Sequence, residues 1–164
     1  MANLDWQIRR NLENSLAEFL QTESSGLTVF YKGKDQTIDI RVGNAPQDSW
    51  TLPNISVYLD TRTAPRGFVG NNRRLKSYLM IIDIRALDDG MRSDLTEWAT
   101  DTINDGFDVY DYTPNIGDPD NPSKVLSGKA SIVFVSDIAI RNTQNSELFE
   151  KFRQNISISV TIAV

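Results

Sequence analysis

Strict alternation of apolar and polar residues is the feature that most limits what this chain can fold into. Near the C-terminus, Ile156, Ile158, Val160, Ile162 and Val164 are separated by single small or hydroxyl-bearing residues. Successive side chains of a β-strand point to opposite faces, so this spacing predicts a strand with one apolar face. A sheet built from such strands has to cover that face with a second layer of structure.

Other segments repeat the two-residue period or are rich in apolar residues. Further strands are predicted at residues 27–31, 38–42, 55–59, 75–87 and 131–140. The turn residues Gly33, Lys34 and Asp35 lie between the first two strands, which are therefore expected to form a hairpin. The middle of 75–87 is apolar enough to be covered on both faces. The last of these strands is expected to bulge near Ser136 and Asp137.

Two segments show helical spacing instead. The apolar residues of the first are Leu4, Ile8, Leu12, Leu16 and Phe19. Asn3 is a suitable N-cap for this helix, and Gly26 lies just beyond its end. The second pattern consists of Leu95, Trp98, Ala99, Thr102 and Ile103. Asp88 or Asp89 is expected to cap this helix, and Gly106 is expected to end it.

These elements predict an α+β fold: a mostly antiparallel β-sheet with two main helices packed on one face, and an extended hairpin or loop arm. The arm is the segment 61–72, which contains Pro65, Gly67 and Gly70 and has no periodicity. Residues 107–124 include three prolines and are expected to be irregular, and 142–152 are polar with a short helix as one option. No internal repeat is visible, so residues 1–164 are expected to form one domain.

Cysteine and histidine are both absent, which narrows the chemistry open to this chain. Their absence excludes disulfides, thiol nucleophiles, Ser-His-Asp triads and zinc held by cysteine or histidine. The spacing of Asp105, Asp108, Asp111, Asp118 and Asp120 does not match an EF-hand, so these residues are expected to bind at most a loose accessory cation. No catalytic residue, metal site or cofactor is predicted, and the chain is not expected to be an enzyme.

Apolar runs in the sequence are short. Leu79 to Ile82 is an unbroken run, far below the roughly 20 residues that a bilayer-spanning helix needs. The first residues are polar and do not resemble a leader. We therefore expect a soluble protein that is assembled inside a cell and has no membrane partner.

Charge is distributed unevenly along a chain with 17 basic and 22 acidic side chains. Between Thr61 and Ile82 there are five basic residues and no acidic one: Arg62, Arg66, Arg73, Arg74 and Lys76. Between Asp83 and Asp120 there are 11 acidic and two basic residues. One explanation is a solvated loop followed by a solvated helix face. The other is that the basic arm of one copy contacts an acidic surface of its neighbour, head to tail.

The order of these segments resembles the tail terminator, or tail completion, proteins of long-tailed bacteriophages over nearly the whole chain. It begins with an amphipathic helix at 3–21 and a hairpin. The strand LPNISVYLDT at 52–61 follows, then the exposed arm, and then the strand RRLKSYLMIIDIRALDD at 73–89. The helix LTEWATDTIND at 95–105 comes directly afterwards, and an alternating strand closes the chain.

That resemblance implies a structural virion protein at the head-proximal end of the tail, assembled in the host cytoplasm. The family forms a ring, expected to be hexameric, that caps the tail tube, stops its polymerisation and joins the head. The implied partners are further copies of this chain, the tail tube protein and the head-tail connector protein. DNA is expected to pass through the lumen without specific binding, which suits the acidic excess of the chain.

The basic arm, defined as residues 62–76 so that it includes the basic residues that follow the loop, is the candidate contact region in such an assembly. We expect it to reach the tube protein or the adjacent subunit, because the planar guanidinium group of arginine is favoured at contacts between proteins. Phe68 is the expected apolar anchor at its tip. The candidate contact residues are Arg62, Arg66, Phe68, Arg73, Arg74 and Lys76.

Other interpretations stay open. The chain could be another phage tail or neck component, such as a tube protein that polymerises by itself or a head-tail connector. It could be a small nucleic-acid-binding module: residues 67–70 match the GXXG loop of KH domains, although strand-like sequence flanks them. The least supported alternative is a hydrolase with paired carboxylates, such as Glu147 with Glu150 or Asp88 with Asp89.

Overall fold

The structure, a computed structural model, describes residues 5–43, 49–62, 75–112, 124–140 and 151–163. Its helices are α1 (Asp5–Glu23) and α2 (Asp89–Ile103). Its strands are β1 (Thr28–Tyr31), β2 (Lys34–Thr37), β3 (Asp39–Val42), β4 (Asn54–Arg62), β5 (Leu75–Ala86), β6 (Phe107–Asp111), β7 (Val125–Ile140) and β8 (Phe152–Ala163).

Six strands form one curled sheet in the order β3-β4-β5-β8-β7-β6, and β1 and β2 form a separate two-stranded hairpin. All neighbouring pairs of the large sheet are antiparallel except β3 with β4. Both helices pack on the same face of this sheet. The predicted class, α+β with a mostly antiparallel sheet, is therefore confirmed.

Helix α1 contacts β3 and β4 near one end of the sheet order and β6 at the other end. One helix can reach both ends because the sheet curls around it. Helix α2 packs on the central strands β5 and β8. The shared core includes Leu12, Leu16, Leu20, Ile55, Met80, Ile82, Leu95, Ala99, Ile158 and Val160, all buried.

Several local predictions are confirmed. Asp88 caps α2, its Oδ1 accepting a hydrogen bond from the Met91 N–H at 2.7 Å. Gly26 lies just past α1 with a φ of +80°, a conformation that suits glycine. Leu79 and Ile81 are half-buried and buried, so the middle of β5 is covered on both faces as expected.

The prediction for the first hairpin is wrong about its second strand. The turn is Lys32-Gly33, both residues with positive φ, and β1 pairs with residues 34–37 rather than with 38–42. A two-residue turn of this kind fixes the register at once, so the pairing is complete before Ile38. The chain then leaves the hairpin, and β3 joins the large sheet parallel to β4.

The prediction that residues 107–124 are wholly irregular is also wrong. Phe107–Asp111 forms β6, with Phe107 and Val109 buried, because the dense aspartates of this stretch hide a short alternating pattern. The predicted strands 131–140 and 156–164 extend further toward the N-terminus, as β7 and β8. The bulge in β7 falls between Phe134 and Ser136.

Candidate functional site

The residues predicted to contact partners belong to the connection between β4 and β5. Arg62 is the last residue of β4 and Lys76 is near the start of β5, so both lie at the same end of this antiparallel pair. The other four, Arg66, Phe68, Arg73 and Arg74, lie outside the described residues, as does the GXXG motif. Their role in partner contacts therefore stays a prediction.

Helix α1 closes the β6 edge of the sheet with polar side chains. The Tyr110 backbone N–H donates to Ser15 Oγ at 2.9 Å, and the Tyr112 N–H donates to Asn11 Oδ1 at 3.2 Å. Unpaired N–H groups on a sheet edge can otherwise template the addition of another strand. With both groups bonded to α1, the β6 edge is closed to such pairing.

The same helix also bonds to one edge group at the opposite end of the sheet. Gln21 Nε2 donates to the Ile40 carbonyl on the outer side of β3, at 3.0 Å. Further along, the Leu59 N–H donates to Glu13 Oε1 at 2.8 Å, next to the register shift in β4. The helix therefore satisfies backbone groups that the sheet itself leaves without a strand partner.

The outer side of β7 differs from these closed edges. Strand β6 pairs only with the first part of β7, residues 125–130, whereas β8 pairs with the other side of β7 from Ala130 to Ile140. Among the described residues, no strand pairs with the outer side of residues 131–140. We call this stretch the open edge.

The open edge is apolar as well as without a strand partner among the described residues. Val133, Val135 and Ile138 are 63%, 59% and 59% exposed, and Phe134 is 38% exposed. Asp137 is the one charged residue of the stretch, and its carboxylate accepts a hydrogen bond from Gln154. Natural edge strands usually avoid unwanted pairing through lysine, proline or a covering segment. The open edge contains neither lysine nor proline, but it has a bulge between Phe134 and Ser136 and the charge of Asp137 just after it. The residues that come before the bulge are therefore the part best suited to binding another strand.

A buried ionic cluster occupies the sheet face opposite the helices. Asp83 on β5 is fully buried and accepts two hydrogen bonds from Arg153 on β8, at 2.9 and 2.7 Å. Arg85, 1% exposed, pairs with the same carboxylate at 2.8 Å and donates to Ser56 Oγ at 3.1 Å. Burial, followed by the nearby Asp83 charge, raises the pKa of Tyr58 on this face.

This cluster corrects the interpretation of the acidic run. Asp83 and Arg85 are internal partners and contribute nothing to a charged surface. Within this run, the acidic residues that are both described and exposed lie on α2 and just after it: Asp89, Asp94, Glu97, Asp101, Asp105 and Asp108. An acidic surface therefore exists, but it is centred on α2.

Next to the ionic cluster, the same sheet face carries small hydroxyl side chains. Ser157, Ser159 and Thr161 on β8 are half-buried, and Thr161 Oγ1 lies 3.3 Å from Ser77 Oγ on β5. These side chains are neutral and short. They form a polar surface with little capacity to hold a charged ligand.

A cavity of about 270 Å³ lies between α1 and the β6–β7 pair. Glu18 on its wall accepts hydrogen bonds from Tyr112 Oη at 2.6 Å and from Lys124 Nζ. The bond from Lys124, and then that from Tyr112, hold the pKa of Glu18 below its usual range. Burial, and then the bond to Glu18, raise the pKa of Tyr112. These groups are hydrogen-bonded to one another, so Tyr112 and Lys124, which flank residues 113–123, are both held against α1.

No group of three or more Asp or Glu side chains among the described residues could hold a metal ion. Asp88 caps α2 and Asp89 pairs with Arg92 at 2.7 Å, so both have structural partners. Glu147 and Glu150 lie outside the described residues. No described helix is long and apolar enough to cross a membrane.

The open edge is the feature that the sequence interpretation missed. The signal was the run of four consecutive apolar residues at 132–135, inside a strand expected to have one buried face. A strand can bury such a run only if both of its faces are covered. Here Ile132 packs on the core and Val133 faces away from it, exposed.

Comparison with known proteins gives no family assignment. No protein-family model matches this chain, and no curated protein matches it.

Proposed function

We propose that this chain is a structural virion protein that assembles into a ring capping the tail tube of a long-tailed phage. The ring, of about six copies, stops polymerisation of the tube and forms the surface that joins the head. The observation that carries this proposal is the open edge of β7, in a sheet whose two outermost strands, β6 and β3, both have edge groups bonded to α1.

The open edge lacks the hydrogen bonds to α1 that the edges of β6 and β3 have, and this difference is consistent with self-association through the open edge. A strand with unpaired backbone groups and exposed valine and isoleucine side chains gains hydrogen bonds and buries apolar surface when another strand pairs with it. A head-to-tail contact of this kind closes into a ring at a fixed number of subunits. The order of segments that resembles tail terminators is the reason for choosing a phage ring among such assemblies.

The surface chemistry is consistent with a channel for DNA. The chain has a net charge of −5, and α2 presents an exposed acidic face. The helix-free face of β8 offers neutral hydroxyl groups. Neither surface attracts phosphate strongly, so DNA can slide past them without being held.

The mass of the purified protein, measured by light scattering together with electron micrographs, tests this proposal. A discrete ring near six copies with a central hole is the expected result. Long tubes formed by the chain alone would instead make it a tube protein. A strict monomer at high concentration would contradict the proposal and favour the nucleic-acid-binding alternative, whose affinity should fall steeply with salt.

A pair of lysines on the open edge tests whether this edge makes the ring. Val133→Lys with Val135→Lys should leave a folded monomer, with unfolding free energy within about 0.5 kcal/mol of wild type, since both positions are exposed. The same protein should no longer form rings, because lysine on an edge strand prevents pairing. Leu126→Lys is the matched control: Leu126 is 59% exposed on the same strand but lies where β6 is paired. Rings from the double variant, or their loss in the control, would contradict the proposed role of the edge.

The arm is tested separately by its effect on tubes. Arg66→Ala, Phe68→Ala and Arg73→Ala combined should give a folded protein that no longer caps tail tubes. The measurement is the length distribution of tubes assembled with each protein. Normal capping by the triple variant would refute the predicted role of the arm.

A further inference from the structure

The open edge has no strand partner among the described residues, which contain one strand pair outside the large sheet. This pair is the β1–β2 hairpin, whose outer edges pair with no described strand. An isolated two-stranded hairpin is at best marginally stable, and a third strand stabilises it. The hairpin therefore gains from the same kind of contact as the open edge.

Strand β1 is the better suited of the two hairpin strands. Tyr31 and Lys34 flank a two-residue turn and form the first hydrogen-bonded pair, so the backbone groups of Thr28 and Phe30 point away from β2. Phe30 is 71% exposed, the largest exposed fraction among the exposed large apolar residues of the described chain. Strand β1 has no charged residue, whereas β2 contains Lys34 and Asp35.

Charge and symmetry favour this pairing over that of two open edges. The charge of the open edge is Asp137, and the hairpin turn brings Lys32 and Lys34 close to the end of β1. Two open edges paired with each other would form a two-fold dimer, which cannot extend into a ring through that contact. Pairing β1 with β7 joins two different surfaces, as a ring requires.

We propose that β1 of one copy pairs with the open edge of β7 in the next copy, so that the β1–β2 hairpin extends the neighbour's sheet. Phe30 then packs on the apolar side chains of the open edge. This proposal rests on the ring proposed above and names the contact that builds it.

Single-cysteine variants test this contact cleanly, because the chain has no cysteine of its own. Thr28→Cys and Val135→Cys are co-expressed with different tags and treated with a short thiol cross-linker, whose reach tolerates a small difference in register. Thr28 is exposed and lies two residues from Phe30, so this pair leaves the Phe30 contact in place. The expected product is a cross-linked dimer that carries both tags. Either variant alone should give little cross-linked dimer, and Thr28→Cys with Leu126→Cys is the matched control pair.

The outcomes separate this contact from the proposed function. Cross-linking of Val135→Cys with itself would show edge-to-edge pairing and overturn the proposal. Intact rings without any dimer carrying both tags would also overturn it, while leaving ring formation standing. Monomers with no cross-linking would contradict both proposals, whereas the mixed dimer in rings would support both.

Discussion

The two ends of the large sheet and the open edge of β7 present the same kinds of backbone groups, yet these groups differ in their hydrogen-bond partners. At β6, Ser15 and Asn11 accept hydrogen bonds from the edge N–H groups, and at β3 Gln21 donates to an edge carbonyl. Beyond Ala130, no described strand pairs with the outer side of β7, and apolar side chains line it. These three edge groups of β6 and β3 are satisfied within one copy, whereas we propose that the open edge is completed by a second.

The largest expected effect lies at the boundary between the closed and open parts of β7. Gly106 has a φ of +81°, and a Cβ atom there would lie 2.1 Å from the Ala130 carbonyl oxygen. Gly106→Ala should therefore lower the free energy of unfolding by about 2–5 kcal/mol, from backbone strain and overpacking together. Denaturant unfolding of the monomer is the measurement.

Gly128 provides the matched control for that substitution. It lies on β7 next to the same β6 strand, and a Cβ atom there would meet nothing within 4 Å. Gly128→Ala should leave the free energy of unfolding unchanged or raise it by up to about 1 kcal/mol. Equal losses at the two glycines would contradict the steric explanation.

Removing a cap from the closed edge should have a smaller effect. Ser15 is 2% exposed, and Ser15→Ala leaves the Tyr110 N–H without its acceptor, which should cost about 1–3 kcal/mol of unfolding free energy. Thr22→Ala, on the same helix but exposed and bonded to the helix itself, should change it by less than about 0.5 kcal/mol. Thermal or denaturant unfolding distinguishes the two variants. A Ser15→Ala protein as stable as wild type would contradict the stabilising role of the bond between α1 and the β6 edge.

The smallest expected effect is a pH dependence from Glu18, which is partly exposed. Its pKa is lowered in the folded protein by Lys124 and Tyr112, so it stabilises the fold above its unfolded pKa of about 4.3. That contribution should be lost as pH falls through the lower folded pKa. Glu18→Gln should flatten the decline of the denaturation midpoint between about pH 5 and 3. Glu23→Gln is the control, because Glu23 is exposed at the end of the same helix. A pH profile of Glu18→Gln equal to that of wild type would contradict the stabilising role of the contacts that Glu18 makes with Lys124 and Tyr112.

Periodic segments of the sequence predicted most of the fold. The stripe that contains Leu12 and Leu16, the Asp88 cap and the alternation of β8 are local patterns, and each of them is where the sequence indicated. The separate sheet formed by β1 and β2 was missed because the alternation at Ile38 continues across a change of pairing partner. Strand β6 was missed because aspartates flank its short apolar pattern.

The candidate site could not be predicted in the same way, because it depends on strand order and on the relative lengths of neighbours. Among the described residues, the edge is open because β6 is shorter than β7 and lies beside its first part. A count of acidic and basic residues along the sequence also assumes that every charged side chain is exposed. In the structure, Asp83 forms ion pairs with Arg85 and Arg153 inside the protein. Such pairings arise from cross-strand register, which a single sequence does not specify.

Amide hydrogen exchange along β7, in dilute and in assembled protein, tests whether the open edge is where copies meet. Outward-facing amides of residues 131–140 should exchange fast in the monomer and become protected on assembly. The Tyr110 and Tyr112 amides, held by α1, should be protected equally in both states. Assembly that leaves residues 131–140 unprotected, or protection of the open edge in the dilute monomer, would contradict the account.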